Sequence, residues 1–380
     1  MTEPKPPLVW ICSDDAGNLA AAIALARHLH RAETEVRLLL SAPRDELGQV
    51  AAHGCPPADL VESPADSGPA GRALLDRHAP CVLVWFGGLR PALMTALGRR
   101  GLPMILVNIA LHQLAPRGLG LGARKLRQPL AGFGRILGVD GATGNRLQKL
   151  GVPADRITVT GPLKEDADPP GHDPNELTVM AEVVGSRPAW FPSAIVPGEV
   201  AQIAAAHKSA SRRSHRLLTI VSPRATVDGP DLARRLARSG LRTALRSAEE
   251  PPDEEIQALV ADCPGEAGLW YRLAPVCFMG GTLSGPDGPA PFAAAAVGSA
   301  VLHGPFVQPW QDQYRRLSQA GAARKVRSGS ELGVALGELI GPDRPATMAH
   351  AGWEEVTQSS LAYHDLTTLI EDTAFVGGIA

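Results

Sequence analysis

Short apolar runs bounded by Gly, Pro or Asp alternate with amphipathic segments along the first half of this chain. The runs occupy residues 8–12, 35–41, 81–85, 104–108, 136–139 and 157–160, with helical patterns at 19–30, 91–100 and 142–150 between them. Strand, helix and strand repeated this way predict parallel βαβ units in a doubly wound sheet. The polar, proline-rich stretch 164–173 (KEDADPPGHD) breaks the pattern as a linker does. The alternation restarts with runs at 189–191, 217–222, 276–279 and 300–302. A chain of 380 residues is too long for one core. The expectation is therefore two Rossmann-like domains, residues 1–165 and 174–352. A helical segment over 353–380 is expected to pack back on the first domain. Two such domains leave a cleft lined by the C-terminal ends of both sets of strands, where sheets of this type place their ligands.

Composition narrows the function. A formal charge of -2 and a pI near 6.6 lack the basic footprint of a broad nucleic-acid face, so no nucleic-acid partner is expected. Cys12, Cys55, Cys81, Cys263 and Cys277 form no CxxC or Cys/His pair, which predicts reduced core residues rather than a disulfide frame or metal site. No apolar stretch approaches the roughly 20 residues that span a bilayer. Residues 1–7 lack the basic-then-apolar order of a signal peptide, so the expected location is cytoplasmic, peripheral at the inner membrane. The first strand is followed by CSDDAGN, without the GxGxxG of a dinucleotide-binding turn, which disfavours a dehydrogenase.

The most informative segment is GEAGLWYRLA, residues 265–274, followed by an apolar run and Gly280-Gly281-Thr282. A strand ending in Gly-Gly-Thr lets backbone approach a phosphate, and a helix beginning near Pro289 would add unpaired N–H groups. A tight βα turn needs glycine for steric reasons alone, so the triplet by itself is weak.

The run GEAGLWYRLAPVCFMGGTL, with Pro291, Gly298, Val301-Leu302 and Gly304-Pro305, resembles GELGLFYRLADVAFVGGSL and NPLEPAALGKPVLFGP of the Kdo (3-deoxy-D-manno-octulosonic acid) transferases. Further similarities are Arg187-Pro188-Ala189-Trp190 with Gly198-Glu199, Pro223-Arg224, the stretch TGPLK at 160–164, Leu106-Val107-Asn108 and Val9-Trp10-Ile11. The resemblance covers nearly the whole chain. It implies a GT-B fold, two Rossmann-like domains facing each other across a cleft. It also implies a CMP-Kdo type donor in the C-terminal domain, a lipid A or related glycolipid acceptor in the N-terminal domain, and no cofactor beyond the donor. On that resemblance Arg224 pairs with phosphate, Glu266 hydrogen-bonds ribose or cytosine, and Gly280, Gly281, Thr282 and Pro291 complete the donor site. A solvated loop residue and a helix first-turn acid are the ordinary roles of Arg224 and Glu266.

The pattern breaks at polar positions. The family carries Ser-x-Gly-Glu after its first strand, its Glu acting as the base, and here Asn18 stands at that Glu. An amide accepts no proton in that role, which leaves Asp15 or Asp14 as the candidate carboxylate. Capping the helix that begins near Ala16 is their ordinary role. The family's ETELWPN aligns with residues 86–92, where Pro91 stays and both acids are gone, and its GGHNPLE becomes residues 288–293, which lose its His, Asn and Glu. Two readings follow: a divergent glycosyltransferase, or an inactive relative that binds a nucleotide sugar, a lipid or a protein. Arg117, Arg124, Lys125, Arg127 and Arg135, interleaved with leucines, suggest contact with anionic lipid headgroups; a solvated helix is the equal alternative.

Overall fold

A computed structural model describes residues 6–13, 15–50, 54–114, 122–167, 169–248, 255–285, 288–341 and 343–376. The chain divides into two compact units: unit 1 holds residues 1–166 and 359–380, and unit 2 holds residues 167–358.

Unit 1 is a seven-stranded parallel sheet. Its strands are β1 (Leu8–Ser13), β2 (Arg37–Ala42), β3 (Asp59–Glu62), β4 (Val82–Phe86), β5 (Met104–Ile109), β6 (Arg135–Gly138) and β7 (Ile157–Val159). Helices α1 (Ala16–Arg31), α2 (Gly68–His78), α3 (Pro91–Arg99), α4 (Gly122–Ala131) and α5 (Gly141–Lys149) connect them. The order is β3-β2-β1-β4-β5-β6-β7, so the winding reverses between β1 and β4. Both of these central strands are buried along their whole length, as a sheet covered on two faces requires.

Unit 2 repeats the plan. It runs through α6 (Pro174–Val184), β8 (Ala189–Ser193), α7 (Val200–Ser211), β9 (Leu218–Val221), α8 (Gly229–Arg238), β10 (Thr243–Leu245) and β11 (Ala258–Val260). Then come α9 (Ala267–Leu273), β12 (Val276–Met279), α10 (Phe292–Ala295), β13 (Ala300–His303), α11 (Gln311–Gln319), β14 (Ala323–Lys325), α12 (Gly329–Leu339) and α13 (Asp343–Thr357). The order β10-β11-β9-β8-β12-β13-β14 places the reversal between β8 and β12.

Three details differ from the sequence expectation. The described part of the 353–380 segment is two elements: α13 ends at Thr357 in unit 2, and α14 (Ser360–Val376) belongs to unit 1. The break falls where Ser359 Oγ turns to accept the Lys164 N–H at 3.0 Å. Residues 170–171 are no free linker. Arg272 donates to Pro170 O at 2.9 Å, and a Cβ on Gly268 would sit 2.1 Å from Gly171 O, so the strap lies directly on α9. The helix expected near Pro289 begins at Phe292 and has four residues, and Pro289 O accepts the Tyr314 hydroxyl at 3.0 Å.

A polar chain runs through the unit 2 core. Trp190 Nε1 donates to Thr219 Oγ1 at 2.7 Å, and His207 Nδ1 meets the same hydroxyl at 2.8 Å. Burial pushes the His207 imidazole down to about 4. A histidine buried neutral stabilises the fold above its unfolded value of about 6.5, and that contribution is lost as pH falls toward 4. Unit 2 is expected to lose about 3 kcal/mol across that window. Urea midpoints read against pH check this: His207→Gln should flatten the slope, and an unchanged slope would place the acid sensitivity elsewhere.

Candidate functional site

In doubly wound sheets the ligand crevice opens where the strand order reverses, beyond the carboxyl ends of the two flanking strands. In unit 1 those strands are β1 and β4. Asp15 follows β1 with an exposed side chain in extended backbone (φ -151°), the conformation of an N-cap. Its Oδ1 accepts the Asn18 N–H and the Asn18 side-chain amide, both at 2.9 Å, and Oδ2 accepts the same amide at 3.1 Å. Asp15 therefore caps α1 and also grips the Asn18 side chain. Asp14 lies outside the described residues.

The Asn18 carboxamide is held from a second side. Asn108, in left-handed backbone (φ 58°) near the end of β5, donates to Asn18 Oδ1 at 3.0 Å and to Leu163 O at 2.7 Å. Its own oxygen accepts the Leu163 N–H at 2.8 Å. The side chain at 18 is thus bonded at both ends of its amide, and Asp15 keeps lone-pair capacity on Oδ2. After β4, Gly87 adopts φ 105° and Gly88 O accepts from Trp85 Nε1 at 2.8 Å. The acid at the start of α3 comes from elsewhere: Asp66 Oδ1 accepts the Ala92 and Leu93 N–H groups at 2.9 and 3.0 Å.

In unit 2 the reversal brings together the loops after β8 and β12. Gly280 donates to Ser193 O at 2.7 Å, and a Cβ on it would lie 2.5 Å from Ala194 O, so only glycine fits. The Gly281 N–H donates to Glu199 Oε2 at 2.7 Å. The Thr282 hydroxyl donates to Met279 O and accepts the Gly304 N–H at 2.7 Å, which stitches the loops after β12 and β13. The Gly280 and Gly281 N–H groups and the Thr282 hydroxyl are thus engaged within the protein, and the triplet acts here as a tightly bonded turn. Pro291 is buried and precedes α10. Arg224, beyond β9, carries an exposed side chain, and its N–H donates to Ile195 O at 3.2 Å in the loop after β8.

Glu266 precedes α9 beside a cavity of about 420 Å³ lined by Pro170, His172, Asp173, Glu176, Glu266 and Gly268 among others. Arg246 donates to Glu266 Oε1 at 3.2 Å and to Glu176. Among the described residues Glu266 Oε2 has no partner although it is buried, so one carboxylate oxygen is left able to accept. A second groove of about 580 Å³ lies in unit 1 along α2, α3 and α4, with Arg72, Arg99 and Arg100 on its walls. Of the basic segment, Arg127 and Arg135 are exposed; Arg117 and the side chains of Arg124 and Lys125 fall outside the described residues.

Sequence reasoning singled out Asp15, Glu266 and the glycines, and it missed Glu199, Asn108, Asp66 and Arg246 as parts of these networks. A polar residue closing an apolar strand was a usable signal for Asn108. The others act across 20 or more positions, where spacing carries no information. Among the described residues no group of three or more His, Cys, Asp or Glu could hold a metal, and no helix is long and apolar enough to cross a membrane.

Residues 1–167 match the family model described as 3-deoxy-D-manno-octulosonic-acid transferase (kdotransferase). The 3-deoxy-D-manno-octulosonic acid transferase of Bordetella pertussis is 32% identical over 297 residues, covering 76% of this chain and 68% of that protein. The transferase of the same name from Haemophilus influenzae is 23% identical over 286 residues, 74% of this chain and 67% of that one. Among solved structures, the C-terminal CMP-Kdo binding domain of WaaA from Acinetobacter baumannii aligns with 48% of this chain and 96% of its own, at 20% identity and a TM-score of 0.44.

Proposed function

This chain belongs to the 3-deoxy-D-manno-octulosonic acid transferase family, and on that premise we propose that it is a glycosyltransferase of the GT-B class. It takes a Kdo-type sugar from a cytidine monophosphate donor bound on unit 2 and passes it to a glycolipid acceptor of the lipid A class bound on unit 1. The observation that carries this reading is the relationship to the Bordetella pertussis transferase over three quarters of the chain. The two winding reversals, each flanked by a loop that the resemblance sets at the acceptor or donor site, support it.

In this reading the acceptor hydroxyl loses its proton to Asp15 Oδ2, the carboxylate oxygen that accepts only one bond, while Oδ1 keeps the cap of α1. The acceptor oxygen bonds to the anomeric carbon, the bond from that carbon to phosphate oxygen breaks, and cytidine monophosphate leaves with the electron pair. Glu266 Oε2, buried and unpartnered, is an acceptor for a ribose hydroxyl or the cytosine amine, and Arg224 is the cation for the phosphate. The exposed guanidiniums along the unit 1 groove, with Arg127, support peripheral contact with an anionic lipid surface.

A second reading, binding without transfer, is favoured by one observation: the residue at the family's base is an amide, locked by Asp15 and Asn108. Transfer requires the donor and a nucleotide-sugar-binding relative shares it, whereas a relative that binds only lipid or protein does not, so donor binding is tested first. A ligand that binds only the folded state raises its melting temperature. CMP and a CMP-sugar should raise the Tm, with uridine and guanosine nucleotides at the same concentration leaving it unchanged. An equal response to all bases would remove the cytidine assignment.

A further inference from the structure

The loops that flank the unit 2 reversal are joined by one side chain. Glu199, in the turn between β8 and α7, is fully buried, at 0% exposure. A buried carboxylate is costly unless its charge is met by good hydrogen bonds. Among the described residues Glu199 has no basic partner, and its two oxygens are met by backbone alone. Oε2 accepts the Gly281 N–H at 2.7 Å and Oε1 the Leu283 N–H at 2.9 Å, in the loop after β12. Alternate N–H groups turned inward after a strand are what an anionic ligand would otherwise seek. Here a carboxylate of the chain itself takes them.

The rest of the turn is tied to the same point. Gly281 needs left-handed backbone (φ 76°), and Gly280 lies against Ser193 O and Ala194 O. The Tyr271 hydroxyl donates to Ser193 Oγ at 2.9 Å, and the Ala194 N–H donates to Ser222 Oγ at 2.9 Å, which brings the loop after β9 into register. One acid therefore spans 82 residues of sequence to set how the lips of the crevice stand.

We infer that Glu199 is the positioning residue of the donor site. Its carboxylate fixes the loop after β12 against the loop after β8 and fills the Gly281 and Leu283 amides from within. The donor phosphate is consequently left to Arg224, on the neighbouring loop. This rests on the reading of unit 2 as the donor unit. Glu199 takes no part in the bond-making step, because it is buried and both its oxygens are already bonded.

The test compares the full chain with Glu199→Gln and Glu199→Asp. Glutamine keeps the shape but turns an NH₂ group toward one of the two N–H donors, and aspartate keeps the charge with a shorter reach. Calorimetry with CMP should give a Kd raised about 10- to 100-fold for Glu199→Gln and less for Glu199→Asp, the scale expected of small misplacements in a binding site. In a transfer assay the donor KM should rise with the acceptor KM unchanged, and amide exchange at Gly281 and Leu283 should accelerate. A folded Glu199→Gln that binds CMP as wild type does overturns the inference. So does an affinity that falls only in step with loss of folding across both variants. If the unaltered protein binds no cytidine nucleotide, the donor assignment falls first and the inference with it.

Discussion

Asp15→Asn is expected to lower the turnover of sugar transfer by about 100- to 10,000-fold, the range for loss of a general base. Stability should hardly change, because Asn and Asp are equivalent N-caps and the Asn18 N–H keeps its acceptor. Folding and chemistry are thus separable at this position: circular dichroism and Tm report the cap, and kcat reports the base. Asp15→Ala, by contrast, should lose about 1 kcal/mol of stability as well. Turnover within a few-fold of wild type in Asp15→Asn would remove Asp15 from the chemistry and leave it as the cap of α1.

The largest effect on stability is expected at Gly304. A Cβ there would lie 2.0 Å from Thr282 O and 2.3 Å from its carbonyl carbon, both backbone atoms that cannot swing aside. The Gly304 N–H is also bonded to Thr282 Oγ1, so relief by a shift of the chain would break the stitch between the loops after β12 and β13. Gly304→Ala should therefore cost at least about 3 kcal/mol, at the upper end for overpacking. Gly341→Ala, where nothing lies within 4 Å and the backbone is ordinary, should be close to neutral. Denaturant midpoints of the two variants measure the contrast. A Gly304→Ala protein within about 1 kcal/mol of wild type would mean that the turn is looser than described.

Much of the fold was legible because parallel central strands are continuous apolar runs. Residues 8–12, 81–85, 104–108 and 276–279 each stand out between Gly, Pro or Asp, and they are the cores of β1, β4, β5 and β12. The strands that went unread, β3, β10, β11 and β14, have three or four residues. Three of them, β3, β10 and β14, end sheets, so their side chains are half-exposed or exposed and carry no clean period. At the site, Gly280 and Gly304 were legible because a glycine demanded by backbone approach leaves its mark at one position. The grip of Glu199 on Gly281 and the clasp of Asn108 on Asn18 were not. Hydrogen bonds between residues 82 and 90 positions apart leave no local trace, and only the folded reversal point brings them together.

Asn18, which the resemblance sets at the position of the family's base, is held by the carboxylate three residues earlier. Whether that carboxylate works as a base separates a transferase from a binding protein. The direct measurement is a single-turnover assay of this chain with CMP-Kdo and a lipid A precursor in detergent or vesicles, reading the glycolipid by mass spectrometry. Mass gain by one Kdo unit together with release of CMP, both lost in Asp15→Asn, is the expected result. Binding of CMP-Kdo with no transfer to any lipid A precursor would contradict it.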